Sequence, residues 1–150
     1  MRHAFIALAL AATLAAGAPF AASAAPPAVA SASEPIRVVY HINESDKARG
    51  LIGNVFNHLR DDPAAKIVVV AHGGGIDFLL KDAVDRNGSP YVAALAELNR
   101  QGVSFRVCRN TLTARQLPDS AVASEAKVVQ AGVAEIARLQ AREGYVYVKP

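Results

Sequence analysis

Apolar positions recur along the chain in two alternating rhythms. Ile36-Arg-Val-Val-Tyr-His-Ile42 is a short run rich in β-branched residues and reads as a strand. Ala48, Leu51, Ile52, Val55, Phe56 and Leu59 then follow at helical spacing, one apolar stripe with polar residues between. Ser45 or Asp46 is placed to cap that helix, and Asp61-Asp62-Pro63 stops it. Lys66-Ile-Val-Val-Val-Ala71 is an unbroken apolar strand, the signature of burial on both faces of a parallel sheet. A short helix is expected over Ile76–Lys81, and a second over Tyr91–Gln101 after the Asn87-Gly88-Ser89-Pro90 turn, with Ser89 as cap and Pro90 at the first helical position. Val103–Val107 reads as the third strand, followed by a helix over Arg109–Arg115. Ala121–Ala126 suggests a further short helix and Lys127–Val129 a weak strand. Val133, Ile136, Ala137 and Leu139 mark a last helix ended by Gly144, and Tyr145–Val148 is the final strand. Strands alternating with helices predict α/β layering around a parallel sheet, with right-handed crossovers putting helices on both faces.

The first thirty residues break this rhythm. Met1-Arg2-His3 is a short basic start, Ala4–Ala16 is apolar, and Ala22-Ser23-Ala24 fits an A-x-A cleavage site. Residues 1–24 are therefore expected to be a signal peptide, directing the protein to the periplasm or the exterior. Ala30-Ser31-Ala32 is a second possible site. The apolar run is short of the ~20 residues that span a bilayer, so no membrane span is expected after its removal. Residues 25–35 form an Ala/Pro/Ser spacer, leaving residues 36–150 as one α/β domain.

Composition adds little. A net charge of +3 on 150 residues, with no long Lys or Arg run, gives no reason to expect a nucleic-acid partner. The single cysteine adds more. Exported proteins favour paired cysteines, and Cys108 has no internal partner. It is buried and inert, paired with another molecule, or kept for reaction.

In an open parallel sheet, ligands bind beyond the carboxyl ends of the strands. Here those ends carry His41 and Asn43, then His72-Gly73-Gly74-Gly75, then Cys108 and Asn110. Topology should bring all three to one edge. Cys108 precedes a helix, whose N-terminus lowers a thiol pKa, and Arg106 and Arg109 add positive charge nearby, although Arg106 is expected on the face opposite Val107. The competing reading is a small buried hydrophobe. The three glycines either let backbone N–H groups approach an anion or simply make a tight turn. His41 and His72 could act as proton partners of the thiol. No ligand spacing such as C-x-x-C points to a metal, and no cofactor is expected. No G-x-S-x-G accompanies the glycines, and no Gly-Lys-Ser/Thr follows them, which argues against a serine hydrolase and a phosphate loop. His58 is expected on the solvated side of its helix. Tyr145 and Tyr147 share one strand face, expected in packing or a subunit contact.

The segment Phe105-Arg-Val-Cys-Arg-Asn-Thr-Leu112 resembles the motif of single-domain members of the DsrE/DsrF-like family. The likeness extends to Ile67–Gly73, Leu98–Gly102, Val128–Val133 and Leu139–Pro150, nearly everything from Ile36 onward. It implies a three-layer α/β/α sandwich on a mainly parallel five-stranded sheet, and homo-oligomers, commonly trimers or hexamers. Some relatives pass sulfur along a relay as a cysteine persulfide. That role would fall on Cys108, with His72, Gly73, Gly74, His41, Asn110 and Arg109 in support. The sulfur donor and acceptor are unspecified. The alternative is a non-enzymatic small-ligand-binding module in which Cys108 is structural or redox-sensing.

Overall fold

The computed structural model describes residues 34–150. The signal peptide and most of the spacer expected from the sequence lie outside the described residues. The fold is a five-stranded, all-parallel sheet in the order β4-β3-β2-β1-β5. The strands are β1 (Arg37–Ile42), β2 (Lys66–Ala71), β3 (Ser104–Cys108), β4 (Ala126–Val129) and β5 (Val146–Val148). The helices are α1 (Ala48–Asp61), α2 (Val92–Arg100), α3 (Arg109–Ala114) and α4 (Gly132–Glu143).

Chain order dictates the layers. From β1 to β4 the chain steps one strand at a time in one direction. Right-handed crossovers therefore keep the intervening helices on one face. There Leu51, Val55, Leu95, Leu98 and Leu112 pack on Tyr40, Val69, Phe105 and Val107 in the main core. The return from β4 to β5 runs the other way, so α4 lies on the opposite face, where Ile136 and Leu139 cover Val39, Val68 and Val70. That same return starts α4 beside the end of β3, and this placement makes the site.

The expected α/β/α architecture is present, and β2 runs over the expected residues. Several local features differ. Neither Ser45 nor Asp46 caps α1, because a 3₁₀ turn over Ser45–Lys47 runs directly into it. The segment after β2 is 3₁₀ rather than α and begins at the glycines, Gly73–Leu79. Pro90 does not open α2; it bridges Val84 in antiparallel fashion, and Tyr91 precedes the helix. The expected helix over Ala121–Ala126 is absent: Ala121 ends a 3₁₀ turn that begins at Asp119, and Ala126 already belongs to β4. Val122 instead bridges Leu80, and Ala123 N–H donates to the Leu79 carbonyl. Those backbone groups find partners across the chain, so local helical bonds do not form. Gly144 closes α4 in the left-handed region at φ 71°.

Candidate functional site

Cys108 is the last residue of β3, and α3 begins at the next position. Its residue is 6% exposed. Two helix starts converge on it. The N–H groups of Thr111, in the first turn of α3, and of Gly132, first residue of α4, are turned to the sulfur, as is that of Asn110, which also donates to the Gln130 carbonyl at 3.3 Å. The Thr111 side chain is the fourth donor. Its Oγ1 accepts the Gly73 N–H at 3.0 Å, which leaves the hydroxyl proton for the sulfur. Burial pushes the thiol up, but the Gly132, Thr111 and Asn110 donors outweigh it and hold Cys108 below its ordinary 9.0. At rest the side chain makes no capping hydrogen bond to α3. The donors favour the charged form and tighten as charge develops.

Gly132 sits in tight contact. A Cβ there would lie 3.3 Å from Cys108 Cβ, 3.3 Å from His72 Cβ and 3.5 Å from Val70 Cγ1. The glycine lets the start of α4 settle onto the strand ends. The His72 glycines serve a similar end. A side chain at Gly75 would meet Ile42 C at 2.6 Å and Asn43 Cα at 2.8 Å, so this loop can cross the end of β1 only as glycine. Gly73 has φ +54° and gives its N–H to Thr111 rather than to the thiol. Gly74 lies exposed beside it, 3.5 Å from the Asn43 carbonyl measured at its missing Cβ.

The three strand ends are neighbours, as expected. Pairing of Ala71 with Val107 sets His72 next to Cys108, and pairing of Ile42 with Ala71 brings His41 close. His41 Nε2 and His72 Nε2 are 2.7 Å apart, with the rings stacked at 4.7 Å. His41 Nδ1 lies 2.7 Å from the Tyr147 hydroxyl. Burial, then the positive charges of His72 and Lys149, lower the pKa of His41; burial and then Lys149 lower that of His72. Tyr147 thus belongs to the site, not merely to packing, while Tyr145 packs against the α4 core.

The other expected contributors are placed less directly. Arg109 is held by Asp119 through two bonds of 2.8 and 2.6 Å. Arg106 lies on the α4 face and pairs with Glu135, which Arg138 also holds. Asn110 faces Gln130, its Oδ1 accepting at 3.3 Å. Backbone and hydroxyl donors, not guanidinium groups, therefore provide the positive field at the sulfur. His58 is not simply solvated: its Nδ1 meets the Tyr40 hydroxyl at 2.9 Å. Among the described residues no group of three or more His, Cys, Asp or Glu side chains could hold a metal ion. A separate cavity of about 430 Å³, lined by Asp46, Arg49, Asp77, Asp85 and Tyr91 among others, shares no residue with the thiol site. Asp85 and the Tyr91 ring hold Arg49 there.

A doubly layered parallel sheet with a lone thiol at a strand-to-helix junction defines the class, and comparison with known proteins agrees. The family model of the DsrE/DsrF-like family matches residues 19–150, and the chain belongs to that family. A protein of unknown function from Methanobacterium thermoautotrophicum, MTH1491, is similar at 38% identity with a TM-score of 0.68, covering 77% of this chain and 99% of its own. The ychN protein from E. coli shares the fold at a TM-score of 0.62 and 11% identity, covering 78% of this chain and 99% of its own. No curated protein matches.

Proposed function

We propose that the protein handles sulfur outside the cytoplasm, with Cys108 accepting a sulfane sulfur and passing it on as a persulfide. Membership in a family broadly linked to sulfur relay supports this. The observation that carries it is the place of Cys108 at the β3–α3 junction against the start of α4 at Gly132, where the Gly132 and Thr111 N–H groups and the Thr111 hydroxyl favour the charged form. They favour thiolate, which is the nucleophile. The thiolate attacks the outer sulfur of a donor R–S–SH. A new S–S bond forms, the old one breaks, and R–S⁻ leaves with its electron pair, so no net oxidation occurs. In the second half an acceptor thiol attacks the outer sulfur, and Cys108 departs as thiolate. The same donors stabilise it in both halves.

The test uses protein purified after export, a sulfane donor and intact mass measurement. The expected result is a gain of one sulfur atom that reductant removes and that Cys108→Ser lacks. If no such adduct forms, the proposal fails. The 6% exposure of Cys108 favours the competing reading, a packing residue in a ligand-binding module. A thiol that resists a small alkylating reagent in the native protein would support it. Export rests on the Met1–Ala24 pattern, and sequencing the N-terminus of the secreted protein tests it. Homo-oligomers, trimers or hexamers, rest on the family likeness and on the exposed Val146 at the open edge of β5, and light scattering tests them.

A further inference from the structure

Cys108 is one end of a row. Across the carboxyl edge of the sheet, from β3 through β2 and β1 to β5, stand Cys108, His72, His41 and Tyr147. Cys108 and His72 are side by side, both Cβ atoms 3.3 Å from the same point above Gly132. The remaining links are the two 2.7 Å hydrogen bonds, His72 to His41 and His41 to Tyr147. At the far end Tyr147 is 40% exposed to solvent. Among the described residues, His72 Nδ1 has no protein hydrogen-bond partner.

Neutral imidazole has one N–H and one bare nitrogen. The row therefore has two neutral arrangements. In the first, His72 Nε2–H donates to His41 Nε2, His41 Nδ1–H donates to the Tyr147 oxygen, and His72 Nδ1 is bare. In the second every proton has moved one place: Tyr147 donates to His41 Nδ1, His41 Nε2–H donates to His72, and His72 Nδ1 carries the proton. A proton taken up at His72 Nδ1 turns the first into the second and releases another from Tyr147 to water. No ring holds a net charge before or after.

We propose that His72, His41 and Tyr147 form a proton relay that removes the proton of the thiol collecting sulfur from Cys108. This rests on the sulfur-transfer reading above. The acceptor R–SH attacks the outer sulfur of Cys108–S–SH. The R–S to sulfur bond forms, the inner S–S bond breaks with its pair going to Cys108, and the acceptor's proton goes to His72 Nδ1. The products are R–S–SH, the Cys108 thiolate and one proton in solvent. His72 would be the catalytic base, and His41 and Tyr147 positioning residues that act through it.

The surroundings suit a conductor rather than a store of charge. Burial and the Lys149 ammonium disfavour an imidazolium on either ring. Glu44, 3.8 Å from Lys149, only partly offsets it. On the α4 side, Glu135 is committed to Arg106 and Arg138, and Arg138 to Glu135 and Glu143. Tyr147 and Cys108 are the titratable groups at the two ends of the row.

The experiment loads the full mature chain with sulfane sulfur and follows its unloading to small thiols in dilute, non-imidazole buffer. With an alkanethiol acceptor, His41→Ala should unload about a hundredfold more slowly, the low end of proton-transfer catalysis, and the more distant Tyr147→Phe about tenfold. Added imidazole should restore His41→Ala, and both losses should shrink as the acceptor's own pKa falls. A structural role would show neither response. If the variants unload at the wild-type rate, or if imidazole does not rescue, the relay is overturned while sulfur transfer stands. A wild-type protein that never loads overturns both.

Discussion

Thr111 holds its hydroxyl between two partners, accepting from Gly73 and facing Cys108. Thr111→Val keeps the shape and removes the donor. Hydrogen bonds to charged groups are worth about 1.5–3 kcal/mol, so alkylation of Cys108 below its pKa should slow about ten- to a hundredfold. Thr111→Ser should recover much of that rate, and the pH profile of alkylation reads both. Gly132→Ala should act through geometry. Its new methyl would press on the Cβ atoms of Cys108 and His72 and lift the first N–H of α4 from the sulfur. The profile should again move to higher pH. A Gly132→Ala thiol with unchanged alkylation would show that α4 does not act on the sulfur. Cys108, His72 and His41 were legible as strand-end residues, because a parallel sheet must align its carboxyl ends. Gly132 and Tyr147 were not. Their roles depend on where the return from β4 crosses β3 and on the register of β5 against β1, which no local pattern carries. Thr111 lay inside the Cys108 segment, but only the approach of Gly73 shows which way its hydroxyl is free.

The elements are pinned to one another at few points. Glu135 of α4, with its side chain 13% exposed, bridges Arg106 of β3 and Arg138 of its own helix. Removing one partner of a buried pair usually costs about 3–5 kcal/mol. Arg138 still satisfies the carboxylate here, so Arg106→Ala should cost about 2 kcal/mol, read as a lower urea midpoint. Gly75→Ala meets backbone rather than a movable side chain, so the 3₁₀ segment must shift away from β1. It should destabilise more than Arg106→Ala in the same titration. Equal midpoints for Gly75→Ala and wild type would contradict this tight crossing. Helix α1 was legible because its apolar stripe matches the buried face, Leu51, Ile52, Val55 and Leu59, whereas in α4 only Ile136 and Leu139 of the expected stripe are buried and Val133 and Ala137 face solvent. The stretches around Pro90 and Ala121–Ala126 were not legible, because isolated bridges to Val84 and Leu80 decide their backbone. Such pairing is a tertiary choice that overrides local helix preference.

At the scale of the whole molecule, acid should act in two separate steps. His41 and His72 resist protonation in the folded protein, first through burial and then through nearby positive charge. In the unfolded chain they titrate near the ordinary 6.5. Just below that value the unfolded state binds protons that the folded state declines, so stability falls as pH falls. Above it both states are neutral at these rings, and this contribution to folding is fully present. The carboxylates define a lower window. Backbone hydrogen bonds from Ser89 hold Asp85 below its usual range, the Gln101 side chain does so for Glu97, and Arg138 does so for Glu135. Their contribution is intact above about pH 4.5 and is lost as pH falls through the depressed values. Melting temperature followed from pH 8 to 3 should therefore show a shallow descent beginning near pH 6.5 and a steeper one beginning near 4.5. Replacing both rings by glutamine should flatten the upper descent and leave the lower one in place. If the double variant retains the upper descent, the strand-end histidines are not the groups that couple folding to mild acid.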